Sequence, residues 1–523
     1  DRKTQWFSFG RKFRRQMDLR ERRVELLGVS GLLVLAAALR VAFLTSESLW
    51  TDEAATLYYV RSFSYSELLF EVPITETHPP LYYPFMKLWT GLTGTSVFGL
   101  RLPSVLFGVG TVAVTYAVGR ELYSHRVGLL GGGLVAVSRF HISHSQSVRM
   151  YALLSFLGAV SFLAFVRLRD GGTTRDHVGY VVATALSIYT HVFGLFVLVV
   201  QNLYVGTTPF VDRVDETISW RRWAVLQGAV AALTAPWAYV LLSRVLSVSS
   251  GGPPARLVWI PEPSLAVFRQ TITRYFGFGA LPGPSVGLWL VLAAGVAAVY
   301  GFGVVTNGTE PTDGLLSRLT DSVDGRTYLL GLWAVVPLGL LFVVSKVVVP
   351  LYVIRYTIVA SLALFVLVGA AIDGLGSDRR TLVVAAVLLV LMVGSLPGYY
   401  ATDQNGQWDE AAAHVESEAT AGDRVLVTNY HPGFVQTKTA FDYYFSRSGV
   451  PVTGIPDGID PGRVGNLTAE HDTVWAVFAY TVPSHERAIR TRLNASFTPV
   501  DTRTYHGGIT VVRYERVDDT DGS

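Results

Sequence analysis

Residues 24–45 read VELLGVSGLLVLAAALRVAFLT, and residues 14–23 before them read RRQMDLRERR. A helix needs about 20 predominantly apolar residues to cross the hydrocarbon core of a bilayer. The first stretch has that length, and Arg14, Arg15, Arg20, Arg22 and Arg23 gather at one end of it. Basic residues flanking a span stay on the cytoplasmic side, so 1–23 is expected as a basic cytoplasmic segment.

The pattern repeats along the chain. About eleven stretches are apolar and long enough to span, near 24–45, 97–119, 126–143, 149–166, 178–191, 192–209, 223–246, 284–305, 328–345, 357–373 and 381–399. The fifth and sixth run together around Thr190–His191. Every second connection is basic: Arg120 and Arg126, then Arg167, Arg169 and Arg175, then Arg213, Arg221 and Arg222, then Arg318 and Arg326, then Arg379 and Arg380. An odd number of spans puts the C-terminal part outside the cytoplasm. Three outer connections stand out, 46–96, 247–283 and 346–356. In the first, Glu53–Phe63 and Pro80–Gly91 read as amphipathic helices at the interface.

Composition agrees. Of 523 residues, 50% are hydrophobic and 16% charged, against roughly 25% charged in a soluble domain, and the mean hydropathy is +0.37. The formal charge of +3 does not point to nucleic acid. The absence of cysteine excludes disulfides, thiolate metal sites and a cysteine nucleophile.

The composition shifts near Tyr400. From there to Ser523, Lys+Arg number 10 and Asp+Glu 17. Residues 401–517 read as a small α/β domain outside the cytoplasm. Its expected elements are helices over Trp408–Glu418 and Thr439–Ser446, strands over Arg424–Thr428 and Val474–Phe478, and a hairpin over Thr504–Arg513 turning on Gly507–Gly508. Residues 518–523 read as a disordered tail. The fold expected is an α-helical polytopic membrane protein, 24–400, with that domain appended.

Chemistry collects on the outer face. Ser48-Leu49-Trp50-Thr51-Asp52-Glu53-Ala54 sets two acids just beyond the first span. They can simply cap a helix, since a first-turn acid suits the positive end of the dipole. They can also offer a catalytic carboxylate, because adjacent helical residues point in different directions. Thr77-His78-Pro79-Pro80-Leu81-Tyr82-Tyr83 is either a rigid turn in an aromatic belt or the roof of a pocket lined by His78 and Tyr82. His78 has no partner at metal-ligand spacing, so the sequence supports no metal. Arg101-Leu102-Pro103 opens the second span. Arg149 lies where a helix re-enters the bilayer. It either snorkels or faces a partner or a wet cavity, and an ionisable group at such a place marks function by default. Lys346-Val347-Val348-Val349-Pro350-Leu351-Tyr352-Val353-Ile354-Arg355-Tyr356 gathers two cations and two tyrosines at another outer boundary. Arg355 matches a phosphate in bidentate fashion.

The series Trp50-x-Asp52-Glu53-Ala54, His78-Pro79-Pro80-Leu81-Tyr82, Arg101-Leu102-Pro103-Ser104, Ser145-Gln146-x-x-Arg149-x-Tyr151 and Pro350-x-Tyr352-x-x-Arg355-Tyr356 resembles the GT-C superfamily of membrane glycosyltransferases. It is most similar to the branch of protein O-mannosyltransferases and lipid A aminoarabinose transferases. The resemblance runs from the first span to about Tyr400. It implies a polyprenyl- or dolichyl-phosphate-sugar donor in the bilayer, transfer of one sugar at the outer face with inversion, and Asp52 as general base with Glu53 beside it. Arg149 and Arg355, with Lys346, are then expected on the donor phosphate, and His78, Tyr82, Arg101, Tyr151, Tyr352 and Tyr356 around the pocket. No cofactor is required, and a divalent metal is compatible but without support in the sequence. Mannose is the sugar of the nearest named relatives, and the acceptor is a glycan, a lipid or a protein. One departure is plain: relatives often have Glu where this chain has Ser147, and Tyr where it has His144. The alternative reading is a polytopic lipid or solute transporter. Transporters often show internal repeats and a charge at the bilayer midplane, whereas here no repeat is visible and the charges gather at one face.

Overall fold

The computed structural model describes residues 2–75, 78–211, 218–248, 260–278, 324–429, 436–456 and 461–517. The expected span 284–305, parts of the connection 247–283 and the tail 518–523 lie outside them. Among the described residues, eight helices are long and apolar enough to cross a membrane. They are Arg22–Val41, Val97–Leu122, Tyr151–Arg169, Val192–Phe210, Trp220–Ser243, Gly325–Val347, Ile354–Asp373 and Asp378–Ala401.

Two expected spans are shorter than a bilayer crossing needs. The stretch 126–143 is divided at Ser138, which ends the helix His125–Val137 and caps the helix Arg139–Ser145. The Ser138 hydroxyl donates to Tyr275 O at 2.7 Å, a tertiary contact that hydropathy does not reveal. The run 178–209 breaks where the sequence left it fused. The helix Thr174–Thr190 ends at His191, whose ring accepts from Phe193 N at 3.3 Å. Gly194 is required in that turn, because a Cβ there would overlap the backbone of Ser187 and Ile188.

The chain divides into two compact units, 1–42 with 69–82 and 102–398, and 43–68 with 83–101 and 399–523. In the first, small residues let helices approach closely, the usual packing device in lipid. A Cβ on Gly119 would come 2.9 Å from Gly128 Cα, and one on Gly369 would come 3.1 Å from Gly131 N. Aromatic rings fill wider gaps, as where Phe162 stacks on Trp333 with centroids 3.6 Å apart. Arg40, in the first span, is fully buried. Its guanidinium donates to Ser145 Oγ at 3.1 Å and to the carbonyls of Ala36, Val135 and Ala136 at 3.1–3.2 Å. The carbonyls at the end of the short helix His125–Val137 thus solvate a charge that water cannot reach.

The second unit is built on a five-stranded sheet of β1 (Arg424–Asn429), β2 (Val452–Pro456), β3 (Thr473–Phe478), β4 (Phe497–Tyr505) and β5 (Ile509–Arg516). The order is β2-β1-β3-β5-β4, with β1 parallel to β2 and β3, and β5 antiparallel to β3 and β4. The expected helices are present as Trp408–Glu418 and Gln436–Tyr444, and the hairpin turns at Gly507 and Gly508, both with positive φ. The helix Thr51–Ser62 of the connection 46–96 does not lie bare at an interface. It buries Ala54, Ala55, Leu57 and Val60, and Ala54 joins Trp408, Val425, Phe441 and Trp475 in one core.

Candidate active site

The helix Thr51–Ser62 begins at the acidic pair. Trp50 caps it in an extended conformation, and Glu53 Oε2 accepts from Trp50 N at 3.2 Å. Arg101 then closes on the same carboxylate, Nε to Oε1 at 3.0 Å and Nη2 to Oε2 at 2.7 Å. Its other N–H groups donate to the carbonyls of Leu44, Glu47 and Ser48 at 2.8–3.1 Å, so all five guanidinium donors are used. Both side chains are buried. Glu53 and Arg101 therefore lock the segment 44–53. Asp52, the next residue round the helix, is half-buried. The Tyr480 hydroxyl hydrogen-bonds to Thr51 and lies beside the Asp52 carboxylate. Burial first, with that carboxylate, raises the Tyr480 phenol above its ordinary pKa, so it stays neutral. Tyr480 holds a left-handed backbone, φ 54°. A bulky residue rarely adopts that region unless its surroundings impose it, and it went unnoticed in the sequence because nothing around it resembles a motif.

In the first unit, residues from four separated segments meet. Ser145 and Gln146 tie the fourth motif down: Ser145 through Arg40, and Gln146 Nε2 by donating to Arg40 O at 3.0 Å and Ala42 O at 2.8 Å. Ser104 Oγ donates to Ser147 O at 2.6 Å. That anchorage holds the turn from which buried Arg149 and Tyr151 project. The Arg355 guanidinium lies 5.6 Å from the Tyr151 ring and 5.7 Å from the Tyr356 ring, within cation–π range. His191 is 5.7 Å from Tyr151, 5.3 Å from Tyr356 and 6.1 Å from His78, ring to ring. Arg149 and Arg355 both act electrostatically on His191. Burial first, then Arg355 and Arg274, lower the pKa of His144 to about 3, so its ring is uncharged at neutral pH. The cluster is thus a cationic cup with aromatic walls, suited to an anion that enters with an apolar chain.

Other expected residues stand differently. Lys346 pairs with Glu262 at 3.2 Å, both partly exposed. Tyr352 is buried against Phe196 and Leu341 and hydrogen-bonds to Thr271 at 3.1 Å. Tyr82 is buried, and the preceding Leu81 N donates to Tyr189 O at 3.1 Å, which fixes the double-proline turn. Beside Tyr356 runs an apolar crevice lined by Phe162, Phe196, Val197, Trp333 and Ala360. His191 and Arg274 were missed in the sequence, since a lone histidine inside an apolar run carries no spacing signal.

Residues 77–239 match the family described as dolichyl-phosphate-mannose-protein mannosyltransferase. No curated protein matches the chain in sequence. The structure is similar to apo ArnT from Cupriavidus metallidurans, with TM-score 0.60 and 12% identity over 93% of this chain and 97% of that one. It is also similar to ArnT from the same organism bound to undecaprenyl phosphate, with TM-score 0.53 and 14% identity over the same shares. The apo oligosaccharyltransferase of Archaeoglobus fulgidus aligns with TM-score 0.50 and 12% identity over 95% of this chain and 75% of that one. The chain is a multi-pass membrane protein with a fold similar to that of ArnT.

Proposed function

We propose that this protein transfers a single sugar from a polyprenyl-phosphate-linked donor to an acceptor hydroxyl at the outer membrane face. The observation that carries the reading is the gathering of Arg149 and Arg355 with Tyr151, His191 and Tyr356. It is supported by the similarity to ArnT, a structure of which holds undecaprenyl phosphate, and by the mannosyltransferase description of the matching family. That description makes mannose the first sugar to test.

Each group has a task. Arg149 and Arg355 bind the donor phosphate, and its isoprenoid chain stays in the bilayer. The acceptor oxygen attacks the anomeric carbon as the bond from that carbon to the phosphate oxygen breaks. The acceptor proton passes to Asp52, and the electron pair leaves with polyprenyl phosphate. The phosphate gains a negative charge as it departs, so cations fixed around it lower the barrier and no general acid is needed. General-base help from Asp52 is worth typically about 10²–10⁴-fold. Glu53, held by Arg101, keeps the loop that carries Asp52 in shape. The positive-inside pattern supports a cytoplasmic N-terminus and an outer C-terminal unit.

The experiment is transfer from dolichyl-phosphate mannose by the purified full chain in lipid nanodiscs, with methyl mannoside as acceptor and the product's anomeric configuration read by NMR. Inversion is expected. A retained configuration rules out single displacement, and binding of the donor without any release of polyprenyl phosphate rules out the transferase.

A further inference from the structure

The acidic unit holds a second cluster, away from the motifs. His414 and Glu418 lie one turn apart on the helix Trp408–Glu418, so their side chains share a face. Asp501 meets them from β4, just after a bulge between Pro499 and Asp501, a feature that re-aims side chains. His414 Nε2 stands 3.5 Å from Glu418 Oε1 and 3.4 Å from Asp501 Oδ2. The side chain of His414 is 4% exposed and its Nε2 has no hydrogen-bond partner, while Asp501 Oδ2 is held by an ion pair to Arg503. A buried, unsatisfied nitrogen facing two carboxylates is costly unless something lies between them.

The spacing suits a cation. Ligand bonds of about 2.0–2.2 Å in a tetrahedral shell put ligand atoms roughly 3.4 Å apart; His414 Nε2 stands at about that distance from each carboxylate oxygen, and all three atoms lie within 4.8 Å of one another. The histidine is also prepared from behind: its Nδ1 is 2.7 Å from the Tyr505 hydroxyl. An Nδ1–H donated to that oxygen leaves the Nε2 lone pair free for a metal, the usual outer support of a ligating histidine. Arg503 now spans the same two oxygens, Nη2 to Glu418 Oε1 at 3.0 Å and Nε to Asp501 Oδ2 at 3.1 Å. Its side chain is half-exposed and can swing into water, and Arg513 stays within 3.6 Å of Glu418 on the other oxygen.

We propose that His414, Glu418 and Asp501 bind one Zn²⁺ ion, which displaces the Arg503 guanidinium and ties β4 to the helix Trp408–Glu418. Three protein ligands leave the fourth position to water. The site is independent of the sugar-transfer reading.

The test uses the full chain in nanodiscs, stripped with EDTA and titrated with ZnCl₂, with bound zinc and thermal unfolding as readouts. Wild type is expected to bind one zinc ion more than His414→Gln and than Asp501→Asn, and zinc is expected to raise its unfolding temperature but not theirs. Arg503→Gln is expected to bind zinc at least about tenfold more tightly, about 1.4 kcal/mol, because the competing cation is gone. Equal zinc uptake by wild type and by the two ligand variants overturns the proposal, as does unchanged affinity in Arg503→Gln. If His414→Gln does not fold, Asp501→Asn and Arg503→Gln still decide, because both replace partly exposed groups.

Discussion

Arg101 grips Glu53 through two hydrogen bonds, 3.0 Å and 2.7 Å long, with both side chains buried and every guanidinium donor engaged. Breaking one partner of such a pair leaves a buried, uncompensated charge, at a cost of about 3–5 kcal/mol. Glu53→Ala and Arg101→Ala should therefore each lower the unfolding temperature strongly, measured on the purified chain in detergent. The double replacement Glu53→Leu with Arg101→Met should recover part of that loss, because a pair of apolar side chains leaves no stranded charge. A Glu53→Ala protein with wild-type stability would overturn the structural role given to this pair.

Asp52 is half-buried beside the Glu53–Arg101 ion pair. Asp52→Asn should keep the unfolding free energy within about 0.5 kcal/mol of wild type and lower transfer by about 10²–10⁴-fold. Tyr480→Phe removes the hydroxyl that reaches Thr51. It should reduce transfer less than Asp52→Asn does. Transfer kinetics and thermal unfolding on the same preparations separate the two effects.

The arginine cup makes its own prediction. Lysine keeps the charge but loses the planar fork, and at position 355 also the stacking on Tyr151 and Tyr356. Arg355→Lys and Arg149→Lys should each weaken donor binding by about tenfold or more, the loss of about 1.4 kcal/mol. Isothermal titration with undecaprenyl phosphate measures this directly, without a known acceptor. Lys346→Gln should leave donor binding nearly unchanged, since Lys346 is partly exposed and paired with Glu262.

Gly108 faces the buried Arg40 and Ser145, and a Cβ there would overlap Ser145 Oγ and approach Arg40 Nε to 2.8 Å. Gly108→Ala should therefore destabilise the first unit by about 1–3 kcal/mol through overpacking. It should do so without moving donor affinity in the fraction that stays folded. A melting curve and a binding titration on one sample check both halves.

The chain has no cysteine, so single cysteines report topology without background. Thr174→Cys, on a basic connection, should be shielded from a membrane-impermeant maleimide in intact cells, and Thr498→Cys on β4 should be labelled. Both positions are exposed in the fold. The opposite labelling pattern reverses the orientation.

The sequence by itself determined much of this. Apolar runs of spanning length need no partner to be recognised, because lipid selects length and composition alone. That made the helices Arg22–Val41, Gly325–Val347 and Ile354–Asp373 legible within a few residues. The small domain was readable where glycines or tight alternation mark an element, as at Gly507–Gly508. The strand Val452–Pro456 and the helices Pro461–Thr468 and Pro483–Asn494 were not read, being short elements that depend on packing against the sheet. The tertiary structure alone decided which charged residues are scaffolding. Asp52 and Glu53 are neighbours with the same chemistry, and only Arg101, 48 residues further on, commits Glu53 to the fold. Arg40 looked like part of an apolar run until the carbonyls of Val135 and Ala136 closed on it. His191 sat inside a hydrophobic stretch until the chain broke there and turned its ring toward Tyr151 and Tyr356. In each case the deciding partner comes from a distant segment, and a local pattern carries no information about a contact that exists only once the helices have packed.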